Sequence, residues 1–264
     1  MQPRQADAAL NGLRLVVARP APQAEGLRAL LTSAGADVMV FPGMTIEPCP
    51  LSAATLACLA DLEHTDWAVF VSANAVEHGL RVIAEQGGWP AGLRAAAVGG
   101  ATAHALEQAG LAPVLRPLAR EDSEGLLANP AWGSLDGARV TIFRGIGGRE
   151  VLADGLRRAG AEVCHAEVYR RTLPVADPAP LRAALAARSI AVIVAMSGET
   201  IRNLFELCGP ASRADLCATA WLVPHPRVAA AAHALGIRRV LESVGSSDQA
   251  LMTTLSDFLS GPDA

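Results

Sequence analysis

Short apolar runs alternate with helix-forming stretches along the chain, and this alternation restricts the possible folds more than any other sequence feature. Leu13–Pro20 has the pattern of a buried strand, and a helix is predicted over about Pro22–Ala34, ending at Gly35. The same succession continues through a strand at Trp67–Ser72 and a helix from Asn74. Strands that alternate with helices predict parallel sheets covered by helices on both faces. The expected fold class is therefore α/β.

The strand–helix succession occurs twice, with an offset of about 125 residues. LLTSAGADVMVFP in the first copy resembles LRRAGAEVCHAEV in the second, and WAVFVSANAV resembles AVIVAMSGET. Two copies predict two parallel-sheet lobes with an active-site cleft at the carboxyl ends of the strands, where ligands of such folds bind. Asp37–Pro48 is extended, and its prolines exclude it from a central strand position. Glu162–Pro174 is a second extended segment that contains a proline.

The composition excludes several functions. All 22 basic residues are arginine, so a Schiff-base lysine, a pyridoxal-phosphate anchor and a phosphate-loop lysine are impossible. The net charge of −4 argues against nucleic-acid binding by global attraction. No apolar run reaches the ~18 residues of a membrane span, and the first residues do not have the pattern of a signal peptide. We expect a soluble cytoplasmic protein that binds neither nucleic acid nor membrane.

The five cysteines and six histidines show no metal-ligand spacing, so no metal or cofactor is expected. Cys164 and His165 are adjacent, but neighbours on a strand point to opposite faces. The favoured interpretation is that the cysteines are reduced thiols within a cytosolic core.

The predicted strand ends carry hydroxyls, glycines and arginines, with Glu199 as their one carboxylate. Helix N-termini that follow such strands attract carboxylates or phosphates. For any single Ser or Thr, a simple helix cap is the more common explanation, but convergence of the set favours anion binding. The glycine spacing in RGIGGRE (Arg144–Glu150) differs from a nucleotide loop, and a tight turn explains most of it. Tyr169, the single tyrosine, is equally compatible with strand packing and with a role as hydrogen-bond donor or weak acid.

These residues together resemble the uroporphyrinogen-III synthase family over roughly Leu13 to Leu259. The resemblance rests on Arg19-Pro20, FVSANAV, AAVGGATAHAL, the RG-GGR loop, GAEVCHAEVYRR and SGET. Two positions depart from the family pattern. Ala18 stands where the family often has Thr, and VPHPRVAAAA replaces a second V-G-x-x-T-A loop, so Arg227 is a candidate replacement for the missing hydroxyl.

The resemblance implies two flavodoxin-like lobes joined by a two-stranded linker. Residues 1–36 with 175–264 would form one lobe, residues 49–161 the other, and 37–48 with 162–174 the connecting strands. It also implies a cyclising hydro-lyase of haem, sirohaem or corrin synthesis. Its substrate would be hydroxymethylbilane, which would lose water and close through a spiro intermediate with inversion of ring D.

The resemblance further assigns roles to particular residues. Tyr169 would assist departure of the hydroxyl group. The expected substrate-binding residues are Arg19, Ser72, Ala73, Asn74, Gly99, Thr102, Arg144, Gly145, Gly148, Ser197, Gly198 and Arg227. The expected state is a monomer that meets hydroxymethylbilane synthase transiently. Two alternatives remain: a non-catalytic two-lobed carboxylate-binding protein or sensor, and a nucleotide-dependent transferase, against which the missing lysine counts.

Overall fold

The computed structural model describes residues 10–259, which alternate between strands and helices. In chain order the elements are β1 (Arg14–Val17), α1 (Ala21–Ser33), β2 (Asp37–Val40), β3 (Thr45–Pro48), α2 (Ala53–Ala60), β4 (Trp67–Phe70), α3 (Ala73–Glu85), β5 (Arg94–Ala97), α4 (Gly100–Gln108), β6 (Val114–Leu115), α5 (Ser123–Leu127), β7 (Arg139–Gly145), α6 (Val151–Arg158), β8 (Glu162–Thr172), α7 (Ala179–Ala186), β9 (Ile190–Val194), α8 (Gly198–Cys208), α9 (Arg213–Ala218), β10 (Ala220–Val223), α10 (Pro226–Ala234), β11 (Val240–Glu242) and α11 (Asp248–Leu259). Short 3-10 turns lie at Leu62–His64, Pro130–Trp132 and Pro210–Ser212.

The chain divides into two compact units. Of the described residues, 10–45 and 172–259 form the first unit, and Ile46–Arg171 form the second. The two dividing positions lie inside the segments Asp37–Pro48 and Glu162–Pro174. The assignment of those segments as connecting strands stays a prediction.

Each unit contains one sheet, and every strand pair with an assigned direction is parallel, as predicted. The first sheet has the order β11-β10-β9-β1-β2, and the second has the order β3-β8-β7-β4-β5-β6. Numbered within its own unit, the first sheet has the flavodoxin order 2-1-3-4-5. The five strands β4 to β8 of the second sheet have the order 3-2-1-4-5, which differs from the expected flavodoxin-like order.

The internal repeat explains this difference. β1 and β2 correspond to β7 and β8, while β4, β5 and β6 correspond to β9, β10 and β11. With these equivalences the two sheets have the same spatial order, β2-β1-β9-β10-β11 and β8-β7-β4-β5-β6. Each repeat therefore supplies its first two strands to one sheet and its last three to the other.

Local sequence explains where several elements end. α1 and α6 are each followed by a glycine in the left-handed region, Gly35 at φ 92° and Gly160 at φ 95°, where a side chain would be strained.

β2 and β3 are edge strands of their sheets, as the prolines of that segment require. Apolar side chains cover both faces of each sheet: Val16 and Leu15 face opposite clusters in the first sheet, and Phe70 and Val69 do so in the second.

One sequence expectation is wrong. Cys58 on α2 and Cys164 on β8 form a disulfide across a sequence separation of 106 residues, with their Cα atoms 6.1 Å apart, so these two cysteines are not reduced thiols. Cys49, Cys208 and Cys217 are free. Pairing at this distance depends on how α2 packs against the sheet, which the spacing of cysteines in the sequence does not contain.

Residues 10–259 contain neither a membrane-spanning helix nor a cluster of metal-binding side chains. No helix there has the length and apolar character needed to cross a membrane. Within the same residues, no three or more His, Cys, Asp or Glu side chains form a group able to hold a metal ion.

Candidate active site

In each sheet, most of the predicted site residues follow the two neighbouring strands at which the strand order reverses. These strands are β1 and β9 in the first sheet and β4 and β7 in the second. Arg19 follows β1, Ser197 follows β9, Ser72 follows β4, and Gly145 ends β7. Open parallel sheets bind ligands at such reversal points, outside the carboxyl ends of the strands. The two units therefore present equivalent candidate sites.

In the second unit, Tyr169 lies behind Ser72. The phenol oxygen of Tyr169 is 3.1 Å from Ser72 Oγ, and Tyr169 is fully buried. The Ser72 hydroxyl also accepts a hydrogen bond of 3.1 Å from the backbone N–H of Ala75, which makes Ser72 the N-cap of α3. Ser72 is only half-buried, so it is the member of the pair that a ligand reaches.

A β-bulge directs Tyr169 toward Ser72. Arg144 of β7 pairs with Glu167 of β8, but the next residue, Gly145, pairs with Tyr169, so Val168 is the extra residue. Val168 and Tyr169 consequently join the same apolar cluster, although successive strand residues normally face opposite sides. A Cβ atom at Gly145 would lie 2.6 Å from the Tyr169 ring, so only glycine fits there without displacement.

His78 on α3 is a neighbour of Tyr169 that the sequence analysis missed. The two rings stack with centroids 5.7 Å apart, and Arg81 donates a 3.2 Å hydrogen bond to His78 Nδ1. Burial lowers the pKa of His78, so the neutral ring is favoured. The Arg171 guanidinium lies 5.7 Å from the centroid of the Tyr169 ring. In the sequence, only the helical spacing that places His78 on the buried face of α3 could have indicated that it lies near Tyr169.

Ala73 and Asn74 occupy the first turn of α3, where Ser72 is the cap. The equivalent turn in the first unit starts at Gly198, and Ser197 Oγ accepts a 3.1 Å hydrogen bond from the backbone N–H of Thr200. A Cβ atom at Gly198 would lie 2.8 Å from Ala231 of α10. Both helices therefore begin with a serine cap beside a reversal point.

Arg19 in the first unit is held by a carboxylate that the sequence analysis missed. Its guanidinium forms an ion pair of 2.5 Å with Asp248, the first residue of α11, and its Nη2 approaches the Ser246 carbonyl at 3.4 Å. The Arg19 side chain is 11% exposed, and its Nε atom is buried without a hydrogen-bond partner. Arg19 is thus a positioned cation with unused hydrogen-bonding capacity.

The Arg144 guanidinium forms ion pairs and a hydrogen bond with residues of its own unit. It forms ion pairs with Glu150 at 2.7 Å and Glu167 at 3.6 Å, and it donates a 2.7 Å hydrogen bond to the Gly148 carbonyl. The Arg144 hydrogen bond lowers the pKa of Glu150. Burial, followed by the charge of Arg144, lowers the pKa of His165. In this arrangement Arg144 closes the RG-GGR loop.

The remaining predicted residues follow β5 and β10, one strand away from the reversal points, at the starts of α4 and α10. Gly99 is the N-cap of α4, and the Glu121 carboxylate lies next to it, 3.5 Å from where a Cβ atom would be. Thr102 is 5% exposed, so its hydroxyl is largely withdrawn from solvent. Arg227 is exposed at the start of α10. Its backbone N–H donates a 3.0 Å hydrogen bond to His225 Nδ1, so His225 caps this helix where the family pattern has a hydroxyl.

Comparisons with known proteins agree on one family. The family model described as uroporphyrinogen-III synthase HemD matches residues 25–253. A uroporphyrinogen-III synthase from Escherichia coli is 31% identical over 245 residues, covering 92% of this chain and 100% of that protein. The enzyme of the same name from Salmonella typhimurium is 30% identical over 249 residues, with the same two coverages.

Solved structures show the same fold. A mutant uroporphyrinogen III synthase from the extremely thermophilic bacterium Thermus thermophilus matches with a TM-score of 0.60 and 21% identity, covering 93% of this chain and 97% of that chain. A uroporphyrinogen-III synthetase from Helicobacter pylori matches with a TM-score of 0.59 and 14% identity, covering 93% and 99% of the two chains.

Proposed function

Because the chain belongs to the uroporphyrinogen-III synthase family, we propose that it is a cyclising hydro-lyase acting on hydroxymethylbilane. The bilane loses its terminal hydroxyl group as water, and the resulting azafulvene is attacked by the already substituted carbon of ring D. The spiro intermediate rearranges and closes as uroporphyrinogen III with ring D inverted. No oxidation state changes overall, so the reaction needs no redox cofactor.

The hydrogen-bond geometry of Ser72 is the observation that carries this proposal. A serine hydroxyl has one proton and two acceptor lone pairs. The Ala75 N–H occupies one lone pair. When the Tyr169 phenol donates to the other across 3.1 Å, the Ser72 proton remains available to a ligand.

Tyr169 therefore acts through Ser72 in this mechanism. The C–O bond of the bilane breaks with its electron pair on oxygen, and the Ser72 O–H stabilises this charge while the oxygen takes up a proton. The Tyr169 donor strengthens Ser72 as a donor, because hydrogen bonds in a chain polarise one another. The proton released when the last ring regains its aromaticity restores the starting protonation state.

The carboxylates of the bilane provide the means of holding it. N-terminal turns of helices bind anions through free backbone N–H groups. α3 offers Ala73 beside its Ser72 cap, and α8 offers Gly198 beside its Ser197 cap. Arg19 adds a nearby positive charge in the first unit. Such anchors fix the conformation of a flexible substrate, and correct closure depends on that conformation.

The test is incubation of the purified, chelator-treated protein with freshly prepared hydroxymethylbilane, followed by separation of the product isomers. We expect uroporphyrinogen III at a rate that depends on protein concentration, against uroporphyrinogen I from spontaneous closure in buffer. Tyr169→Phe is the matched variant, because it keeps the ring and removes the hydroxyl group.

The same assay distinguishes the alternatives. A carboxylate-binding protein or sensor would bind the bilane, detected by fluorescence or calorimetry, and leave isomer I as the product. Activity that appears only after addition of a nucleotide would favour the transferase. Either result would contradict the proposed activity.

A further inference from the structure

The segment from Cys49 to Cys58, which includes most of α2, is joined to β8 by two hydrogen bonds and by the Cys58–Cys164 disulfide. Cys49 Sγ–H approaches the Glu167 carbonyl at 3.4 Å, and the Glu167 N–H donates a 3.2 Å hydrogen bond to Thr55 Oγ1. The disulfide adds a covalent link from α2 to the same strand. Two residues beyond Glu167, this strand carries Tyr169.

A cavity of about 250 Å³ opens beside this disulfide. Both cysteines line it, together with Asp61, Arg139 and Glu162. Arg139 pairs with Asp61 at 3.1 Å and with Glu162 at 3.5 Å, so charged groups surround the opening. The cavity touches residues at the start of β7 and β8, at the opposite end of these strands from Gly145 and Tyr169. It therefore does not belong to the candidate active site.

The two cysteines differ in exposure. Cys58 is 5% exposed, whereas Cys164 is half-buried. A small thiol entering the cavity would thus reach Cys164 first. Two of the three free cysteines are less suited to exchange, because burial raises the pKa of the Cys49 and Cys208 thiols and so favours their protonated, less reactive form.

We propose that Cys58 and Cys164 form a reversible redox couple, and that a low-molecular-weight thiol such as a cysteine-containing peptide exchanges with it through this cavity. In the oxidised state α2 is fastened to β8. In the reduced state α2 is held to β8 by the Thr55–Glu167 hydrogen bond and by Leu59, which joins the apolar cluster that contains Ala166. The site is a point of thiol modification separate from substrate binding.

The exchange proceeds by two displacements. The thiolate of the small reductant attacks Cys164 Sγ, the Cys58–Cys164 bond breaks, and Cys58 leaves with the electron pair and takes up a proton. A second thiol attacks the mixed disulfide at the sulfur of the first reductant and releases Cys164 as a thiol. Two reductant thiols become one disulfide, and the protein gains two electrons and two protons.

The test is equilibration of the intact protein in glutathione buffers, from fully oxidised to fully reduced, without air. Acid quenching, denaturation and alkylation with N-ethylmaleimide then count thiols by mass spectrometry. We expect three labels at the oxidised end, since three cysteines are free, and five at the reduced end, since the chain has five. Peptide mapping should show the 58–164 link disappearing with the same midpoint.

Thermal melts supply a second readout. The oxidised protein should melt roughly 5–15 °C above the reduced protein, because the bond closes a long loop. The Cys58→Ser/Cys164→Ser double variant should lose this dependence on the buffer. Cys217→Ser, which removes a free thiol of the first unit, should keep it.

Three results would overturn the proposal. Five labels in oxidised glutathione would mean that the bond does not form. Three labels in excess reduced glutathione would mean a permanent bond closed to exchange. A melting temperature in the double variant that still follows the buffer would assign the effect to other cysteines. None of these measurements uses bilane turnover, so they are independent of the proposed function.

Discussion

The hydroxyl groups of Tyr169 and Ser72 lie 3.1 Å apart, although the residues are 97 positions apart in the sequence. Tyr169 reaches this position because the bulge at Val168 turns it inward and because Gly145 leaves room for its ring. Ser72 reaches it as the cap of α3. Two ordinary features of local structure thus create one hydrogen-bonded pair.

Removal of the phenol hydroxyl should slow the reaction without unfolding the protein. Tyr169→Phe keeps the buried ring, so the melting temperature should change little. We expect kcat to fall by roughly tenfold to a thousandfold, about 1.4–4 kcal/mol of barrier. Steady-state kinetics and a thermal melt check both parts. Unchanged turnover in a folded protein would show that Tyr169 only packs against the strand.

The effects of Ser72→Ala and Tyr169→Phe on activity should not be additive. If Tyr169 acts through Ser72, the double variant should lose little more activity than the worse single variant, because residues of one chain of hydrogen bonds are not additive. Ser72→Ala also removes a helix cap worth about 1 kcal/mol. Ser52→Ala is the matched control, since Ser52 caps α2 through a hydrogen bond of the same 3.1 Å length. Fully additive losses would separate Ser72 from Tyr169.

Gly145→Ala should destabilise the second unit. The added Cβ atom would lie 2.6 Å from the Tyr169 ring, and insertion of a methyl group into a packed core costs about 1–3 kcal/mol. Gly92→Ala is the control, because nothing lies within 4 Å of its Cβ position. Denaturant unfolding of both variants measures the difference. Equal stability would mean that the ring moves aside without cost.

Arg19 and Asp248 should affect substrate binding in opposite directions. Arg19→Ala removes a cation proposed to hold a carboxylate, so KM should rise roughly tenfold with kcat little changed. Asp248→Asn removes the charge that competes for Arg19, so KM should fall severalfold. Arg28→Ala, which affects an exposed pair with Glu25, should change neither constant. A rise in KM for both variants would show instead that Asp248 mainly orients Arg19.

Acid should weaken folding partly through His78. Burial lowers its pKa in the folded state, so the unfolded chain binds the proton first as the pH falls below the ordinary value of about 6.5. The stability present above that pH is therefore lost as the pH falls toward the folded-state pKa. His78→Phe should reduce the fall in unfolding free energy between pH 7.5 and pH 5. The exposed His104→Gln variant should keep the fall of the parent protein, and an equally steep fall in His78→Phe would contradict this assignment.

Most strands and helices were predictable because each depends on a local pattern. The apolar run at Trp67–Phe70 and the serine after it predict a buried strand and a capped helix, and both are present. The internal repeat also predicted two parallel sheets. The order of strands within each sheet was not predictable, because it depends on which parts of the two repeats pair.

The site was predictable at its backbone positions and less so at its side chains. Ser72 and Ser197 were expected beside helix N-termini, and they lie there. The partners of the arginines are distant in sequence: Asp248 for Arg19 and Glu167 for Arg144. The bulge at Val168 has no sequence signal of its own, so neither the full burial of Tyr169 nor its approach to Ser72 could be foreseen.

The exchange of strands between the two repeats affects the order in which a ribosome can complete the molecule. Ile46–Arg171 are synthesised as one uninterrupted stretch, so the second unit can fold while translation continues. β1 and β2 are made earlier and pair with each other, but β1 also pairs with β9, which emerges only after that unit is synthesised. During this interval Leu15, Val16 and Val17, all buried in the finished protein, can pair with β2 but lack β9 and the strands beyond it. β1 thus waits for its second neighbour until the other unit has been made, and protection of the nascent chain matters most there.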